Sequence, residues 1–418
     1  MTSSLWQSAL GILVFLSIPW LLSENRQHVR IKNILAGLIV QFALAFIIFK
    51  VSFVQKLFLL LGQGVGALKG ATQESTKFVF GYLGGGSLPF DLKEGSSAFI
   101  LAFEAMPMII VVSGLAMLLF YWRILPLIVN FFSWALHRTL NVGGALGVCS
   151  AAKVFLGQTD APLLIRPYLS ELSRSELFTI MTAGMATSSA TMIVVYSTIL
   201  KDVIPNVISH ILTASLISIP AAIMLSRILI PQVGEGTSGE LVVPYKFSGS
   251  LDAVSQGAND GMKLFLTVIA MLIVMLALIA TVNSIFSLLP LLAGEAITLQ
   301  RIFGWIMAPV TWLIGIPWSE AQIAGSLLGT KVVLNETIAF INLVSLEKPL
   351  SEHSNLLMMY ALFGFANFCS IGVQIGGLGT MAPSRHREIV ELGGRALLLG
   401  TLSTCLSATV VGVITYFY

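Results

Sequence analysis

Leu156-Gly157-Gln158-Thr159-Asp160-Ala161-Pro162 is a short polar knot in sequence that is otherwise membrane-hydrophobic. A second knot is Gly329-Thr330-Lys331 running into Leu334-Asn335-Glu336. Each is followed 31 residues later by another polar cluster in an apolar segment, Asp160 by Thr191 and Glu336 by Asn367. Carboxylates and amides are costly in hydrocarbon, so an intramembrane ionisable group marks a functional site by default. Two such arrangements in register are the trace that a secondary transporter with internal repeats leaves in its sequence.

Composition sets the class. Apolar residues make up 56% of the 418 residues and charged residues only 10%. Mean hydropathy is +0.90, whereas a soluble domain carries roughly 25% charged residues. The apolar runs are helix-length, which predicts an all-α, polytopic membrane protein. The net charge of +3 is a topogenic bias and gives no sign of nucleic-acid binding. Cys149, Cys369 and Cys405 lie in apolar sequence without metal spacing and read as small core residues. The five histidines are expected mostly in loops and lack metal spacing, and neither a metal nor a cofactor is expected. The first apolar run, Leu5 to Leu22, ends in Ser23-Glu24-Asn25 without a small-residue cleavage site and is expected to be a retained span.

About eight transmembrane helices are expected, near 5–23, 33–53, 98–121, 177–200, 208–230, 262–288, 354–382 and 392–417. The Gly-rich stretch 54–96 predicts an interfacial helix and a loop, and 232–250 reads as a polar linker. Segment 124–140 either prolongs the third helix or lies along the surface. Arg26, Arg30, Lys32, Arg138, Arg174, Arg227, Lys246, Arg385, Arg387 and Arg395 put most positive charge in one set of loops. The N-terminus is therefore expected outside the cell and those loops in the cytoplasm. Arg166 and Arg174 are expected to snorkel to that face. Glu104, near the start of an apolar run, has no assigned role.

The knots cannot lie in ordinary spans. Gly157 and Pro162 interrupt Asn141 to Tyr168 near its middle, and Asn335-Glu336 interrupts Ser319 to Leu346. Arms of roughly 8–15 residues suit re-entrant hairpins. Three spans between the hairpins make the repeat inverted, although a fourth crossing at 299–316 would make it parallel. The expected organisation is a scaffold region (1–140), repeat 1 (141–231), a linker with a connecting span (232–318) and repeat 2 (319–418). Each repeat is a hairpin, a broken helix and a helix. Two tips and two broken helices meeting at midplane enclose a polar cavity. Gln158 and Asn335 bring donors and acceptors, Thr159 a hydroxyl, and Asp160 and Glu336 acceptors. Asn367 and Ser370 share a helix face. This set suits a neutral solute rich in hydroxyls or a heterocycle, and two carboxylates would repel an anion.

Gly-Gln-Thr-(acidic)-Ala-Pro, the run from Gly329 to Glu336, and Gly364-Phe365-Ala366-Asn367-Phe368-Cys369-Ser370 with Gln374-Ile375-Gly376-Gly377 resemble the concentrative nucleoside transporter family, in its prokaryotic branch. The match extends over most of residues 98–418, and the first two spans fit in number and orientation. The resemblance implies a homotrimer whose transport domain moves past a scaffold by an elevator-like shift. It implies that Gln158, Thr159 and Asp160 face the nucleobase, that Glu336, Asn367 and Ser370 hold ribose hydroxyls, and that Phe365 lines the pocket. In Na⁺-coupled members the cation is held at the positions of Lys153, Leu156, Thr187 and Ser188, through the backbone at Leu156 and Ser188 and a hydroxyl at Thr187. This chain departs from the pattern twice, with Asp160 in place of Glu and Lys153 in place of Asn.

Blander roles compete. Glu336 can pair with Lys331 in helix packing, and Asn367 and Ser370 can be interhelical glue. Thr187, Ser188, Ser189 and Thr191 can simply permit close packing. A membrane-embedded enzyme would use the carboxylates as general acid and base, but no phosphate-binding Gly loop, metal cluster or nucleophile–base pair accompanies them. A channel would need a continuous pore where these tips occlude a site. Lys153 reads as a built-in cation, which predicts cation-coupled nucleoside import driven by protons and independent of Na⁺.

Overall fold

The structure is a computed structural model that describes residues 2–91, 98–201, 203–234, 236–237, 239, 241, 247–292, 294 and 296–416. Part of the expected polar linker, including Glu235, Glu240 and Lys246, lies outside the described residues. Every regular element among the described residues is helical. The chain opens with α1 (Thr2–Leu21), α2 (Ile31–Lys50) and α3 (Ser52–Phe80), then α4 (Leu101–Glu104) and α5 (Met108–Tyr121). A run of helices follows: α6 (Ile124–Leu140), α7 (Gly144–Ala152), α8 (Asp160–Leu163), α9 (Arg174–Ala186), α10 (Ala190–Leu200) and α11 (Val207–Leu229). After the long α12 (Ser250–Phe286) the same order recurs. It comprises α13 (Leu299–Ile314), α14 (Trp318–Val333), α15 (Glu336–Val344), α16 (Glu352–Leu362), α17 (Phe368–Met381) and α18 (His386–Tyr416).

The two runs point in opposite directions. Arg174, at the head of α9, pairs with Glu388 and Glu391 in the opening turns of α18. Near the end of α9, Met185 packs on Gly400 further along α18. The two helices are therefore parallel. On α16, Leu357 meets Gly412 near the far end of α18. Lys331 then bridges the carbonyls of Ala361 and Phe363 to Thr404, closer to the middle of α18. The broken helices α9–α10 and α16–α17 thus run antiparallel, and the repeat is inverted.

Both knots lie where the chain reverses. Gln322 and Ser326 of α14 share a cleft of about 460 Å³ with Asn342 and Ser345 of α15, so the arms fold back about Leu334. Ala145 and Tyr168 meet on Gly239, closing the other hairpin at its root. Each hairpin has one more helix stacked on its first arm. Gly143 and Gly147 of the first arm and its entry turn lie against His137 and Ser133 of α6. The chain bends by 116° between α13 and α14 through Gly315, whose φ of +122° favours glycine. Thr311 Oγ1 then donates to the Ala321 carbonyl at 2.8 Å, and Gly325 and Gly329 leave room for Ala308 and Phe303. Segment 124–140 is therefore no extension of α5, from which the left-handed Arg123 (φ +60°) separates it. Segment 299–316 folds back on the hairpin rather than adding a straight crossing.

Among the described residues, five helical stretches are individually long and apolar enough to cross a membrane: Ile31–Lys50, Leu101–Tyr121, Arg174–Leu200, Val207–Leu229 and Pro383–Tyr416. The expected spans at 5–23, 262–288 and 354–382 correspond to α1, the second half of α12 and the interrupted α16–α17. The first two helices, α1 and α2, pack on α11 and α18, whereas α5 pairs with α12. The reason is steric: Gly257 and Gly261 of α12 lie directly on Ser113, Gly114 and Ile110 of α5, a small-residue seam that admits close backbones. Similarly, Gly11 of α1 sits on the Leu313 carbonyl and Gly37 of α2 on Met224. The expected boundaries at 140 and 318 fall at the turns where α6 and α13 join their hairpins.

At one end, Glu24 in the α1–α2 loop binds Arg174 at 3.0 Å and also pairs with Arg395. Arg174 is thus tied into an ion cluster and does not simply snorkel. The hydrogen bond from Arg174 holds the Glu24 carboxyl below its ordinary value of 4.5, with partial burial opposing and Arg395 adding to the effect. A depressed folded-state pKa contributes stability that is present above the unfolded value and is lost as pH falls through the folded one. Glu24→Gln should therefore lower the melting temperature of the purified protein near neutral pH. That deficit should close as the pH is taken below about 4; a deficit of equal size at both pH values would exclude the carboxylate as its source.

Candidate functional site

Two helix interruptions cross at the centre of the molecule. The first, between α9 and α10, leaves Thr187 and Ser189 in extended backbone. The second, between α16 and α17, runs from Phe363 to Asn367. Phe365 N donates to the Thr187 carbonyl at 3.2 Å, joining the two breaks. Gly364 has φ +95°, and a Cβ there would stand 2.7 Å from the Ala186 carbonyl oxygen, so only glycine fits this crossing. Ala190 N donates to the Phe155 carbonyl at 2.9 Å, which pins the first hairpin tip to the start of α10.

Side chains take over the hydrogen bonds that the interruptions remove. Asn335 Oδ1 accepts from Ile338 N at 2.9 Å and Asn367 Oδ1 accepts from Ser370 N at 2.9 Å. Such N-caps contribute about 0.5–2 kcal/mol each, and they leave the positive ends of α15 and α17 facing the crossing. Glu336 is buried there with both carboxylate oxygens engaged. Tyr196 Oη donates to Oε1 at 2.6 Å and Asn367 Nδ2 to Oε2 at 3.1 Å. The ion pair with Lys331 that helix packing would supply is not formed. The Lys331 ammonium instead donates to Ala361 O, Phe363 O and Thr404 Oγ1 at 2.9, 3.1 and 2.9 Å, which caps the C-terminal end of α16.

The first hairpin tip lies against the same helices. Gln158 is buried beside Gly184 of α9, and the Thr159 methyl packs into the bare face of Gly377 on α17. Ser370 and Gly377 are seven residues apart on α17, about 10 Å at 1.5 Å per residue. The first hairpin tip therefore meets α17 about 10 Å along the helix from Ser370. Asp160 is exposed at the surface of its tip, with Thr159 Oγ1 3.5 Å from Oδ1, in contrast to the enclosed Glu336. Phe365 is half-buried at the crossing.

Of the four positions matched to a cation site, Lys153 and Thr187 have defined partners. Lys153 is fully buried, and its ammonium donates to the Gln158 carbonyl at 3.0 Å across the loop of the tip. Thr187 Oγ1 donates back to the Ala183 carbonyl at 2.8 Å. The Ser188 hydroxyl is buried without a hydrogen-bond partner among the described residues, and Leu156 is half-buried with its N–H on the Ala152 carbonyl.

Several residues stand elsewhere than the sequence predicts. Among the histidines, His137, His210, His353 and His386 lie in helices rather than loops, most of them near helix ends. Cys369 is partly exposed, unlike the buried Cys149 and Cys405. Glu104 has a local role, accepting from Ile100 N at 3.0 Å at the start of α4. Sequence reasoning missed Tyr196, whose only signal is a phenol five residues after Thr191 in an apolar helix. It also left Gln374 without a role, although an amide amid apolar residues was visible.

Three family models match the chain: Na⁺ dependent nucleoside transporter N-terminus over residues 10–83, Nucleoside recognition over 102–202, and Na⁺ dependent nucleoside transporter C-terminus over 210–412. An uncharacterized transporter of Bacillus subtilis, YutK, is 34% identical across 98% of this chain and 99% of its own. The nucleoside permease NupC of Helicobacter pylori is 32% identical across 97% of each chain. Among solved structures, the transporter CNTnw in an inward-facing substrate-bound state superposes with a TM-score of 0.90 at 31% identity, covering 99% of this chain and 98% of that one. An outward-facing variant of CNTnw superposes with a TM-score of 0.91 at 30% identity, covering 100% and 99%. These relatives are transporters and permeases and not enzymes. The full-length similarity, together with the inverted repeat and its crossed interruptions, shows that the chain belongs to the concentrative nucleoside transporter family.

Proposed function

We propose that the protein is an active importer of nucleosides that works by alternating access, with protons rather than Na⁺ as the coupling cation. The observation that carries the nucleoside reading is Glu336. It is a buried carboxylate aligned by Tyr196 and Asn367 at the mouths of two half-helices. A sugar diol offers two donors to such an acceptor, and the Ser370 hydroxyl and Asn367 amide complete the set. Gln158, Thr159 and Asp160 then meet the base about 10 Å along α17. Phe365 lines the space between.

Lys153 supports the coupling reading. Its ammonium occupies the tip of the first hairpin, where the resemblance puts a sodium ion in relatives that carry Asn, held also through Leu156, Thr187 and Ser188. A fixed positive charge there repels Na⁺ electrostatically. Lysine exchanges protons readily when desolvated, and Asp160 and Glu336 are the other candidate carriers. The moving part consists of the two inverted runs with α1 and α2, while α3, α5 and α12 form the scaffold of a homotrimer. Glu24, Arg174, Arg395 and the end of α11 gather at one end of the molecule. The positive-inside rule makes that end cytoplasmic, with the N-terminus outside and the protein in the plasma membrane, the inner membrane of a bacterium with two.

Glu336→Gln should reduce uridine uptake about ten- to a hundredfold, the equivalent of a charge-assisted hydrogen bond of roughly 1.5–3 kcal/mol, without loss of the folded oligomer. Competition by 2′,3′-dideoxyuridine should be weak, because the buried sugar-binding groups would be left unpaired. Near-normal uptake by the well-expressed variant, or equal competition by the two nucleosides, would remove Glu336 from the ribose site.

Uptake should persist when choline replaces Na⁺ and should collapse when the proton gradient is dissipated. Saturable Na⁺ dependence with accumulation on a Na⁺ gradient alone would make the protein a Na⁺ symporter and overturn the role given to Lys153. Equilibration without accumulation under either gradient would make it a facilitator.

A further inference from the structure

Each hairpin carries one fully buried lysine, and the two are bonded differently. An ammonium has three donors. Those of Lys331 go to Ala361 O, Phe363 O and Thr404 Oγ1, a saturated and static arrangement. Among the described residues, the Lys153 ammonium is bonded to the Gln158 carbonyl, and two buried amides, those of Gln374 and Gln158, share its surroundings at Gly184. Gln374 is fully buried on α17, in the opposite repeat. Its Nε2 donates to the Met181 carbonyl at 2.9 Å, which orients the amide. The Gln374 Oε1 is buried with no hydrogen-bond partner among the described residues, and the same is true of Gln158 Oε1.

All three side chains converge on Gly184. A Cβ at that position would stand 2.7 Å from Lys153 Nζ, 2.8 Å from Gln374 Nε2 and 3.2 Å from Gln158 Cβ. Gly184 lies within α9, where alanine would be the better helix former, so the glycine is explained by the room it leaves. A buried acceptor without a partner is destabilising, and so is a buried ammonium with unused donors. The two deficits cancel once the Gln374 amide turns its oxygen to the ammonium, and the bare Cα of Gly184 leaves room for that turn.

We propose that Gln374 and Gly184 form a socket that positions the Lys153 ammonium. In this socket the Gln374 amide oxygen accepts the ammonium when Gln158 is drawn away to a substrate. Gln374 is then a positioning residue that links the second repeat to the charge of the first hairpin. Substrate at the tip and cation at the root of the tip become two demands on the same glutamine–lysine contact. The inference deepens the reading of Lys153 as the tethered cation and rests on it.

The test is a double-mutant cycle on the full-length transporter. In the parent, Gln374→Leu should lower the maximal rate of uridine uptake about tenfold while KM changes little. In a Lys153→Asn background, which lacks the ammonium, the same change should have little further effect. Melting temperatures of purified Lys153→Met, Gln374→Leu and the double variant should be clearly non-additive, as expected for groups in contact; Gln374→Met serves if the leucine variant does not fold. Equal fractional losses in both backgrounds with additive melting shifts would overturn the socket, because a merely structural glutamine gives that result. If the melting cycle is non-additive while the parent proves to be Na⁺-driven, the socket stands and the tethered-cation reading fails.

Discussion

Broken helices in an apolar interior leave donors and acceptors that lipid cannot satisfy, and the rest of this structure is arranged around that constraint. The breaks are placed where they satisfy one another. Phe365 N bonds the Thr187 carbonyl, and Ala190 N bonds the Phe155 carbonyl. Asn335 and Asn367 cap the half-helices that restart, and the Lys331 ammonium closes the carbonyl end of α16. Glu336 is held in one orientation by Tyr196 and Asn367. Such pre-organisation reduces the entropy lost when a solute binds.

The inverted repeat supplies the frame twice, but the two copies carry different chemistry. In the second copy the knot is enclosed: Glu336 has two donors on it, and the nearby lysine is saturated by backbone and a hydroxyl. In the first copy Asp160 is exposed at the tip, and the lysine of that hairpin is bonded to the Gln158 carbonyl near two amides whose oxygens lack partners among the described residues. One half therefore holds its polar groups fixed, and the other has room to exchange them. A transporter needs both properties, a site that defines the solute and a contact that changes between states. Dividing the two between copies of one fold lets each be tuned separately.

Close helix contact is the second structural theme. Gly257 and Gly261 join α12 to α5, Gly325 and Gly329 seat the second hairpin on α13, and Gly400 seats α18 on Met185. Hydrophobic burial provides little drive for helix association in lipid, so these seams rely on packing at short range. They also separate the molecule along a line that chain order conceals. The first two helices pack with the repeats, while α5 packs most extensively on α12 and touches the first repeat through α10 and α6.

Much of this was legible in the sequence. Composition alone determined a helical membrane protein, because 10% charged residues cannot cover a soluble surface. The knots at Gln158–Asp160 and Asn335–Glu336 predicted two chain reversals, because polar residues and breaks at membrane depth are tolerated only where the chain turns back or crosses another break, and the three spans counted between them predicted the inverted repeat. Pairwise geometry was not legible. Tyr196 reaches Glu336 across 140 residues of sequence, Lys331 bypasses the neighbouring carboxylate for carbonyls at the end of α16, and Gln374 and Lys153 converge on the bare face of Gly184. Those contacts depend on helix rotation and on where glycines let backbones approach, which one-dimensional periodicity does not encode. The residue types that must be satisfied are therefore written locally, while the partners that satisfy them were decided by the tertiary structure.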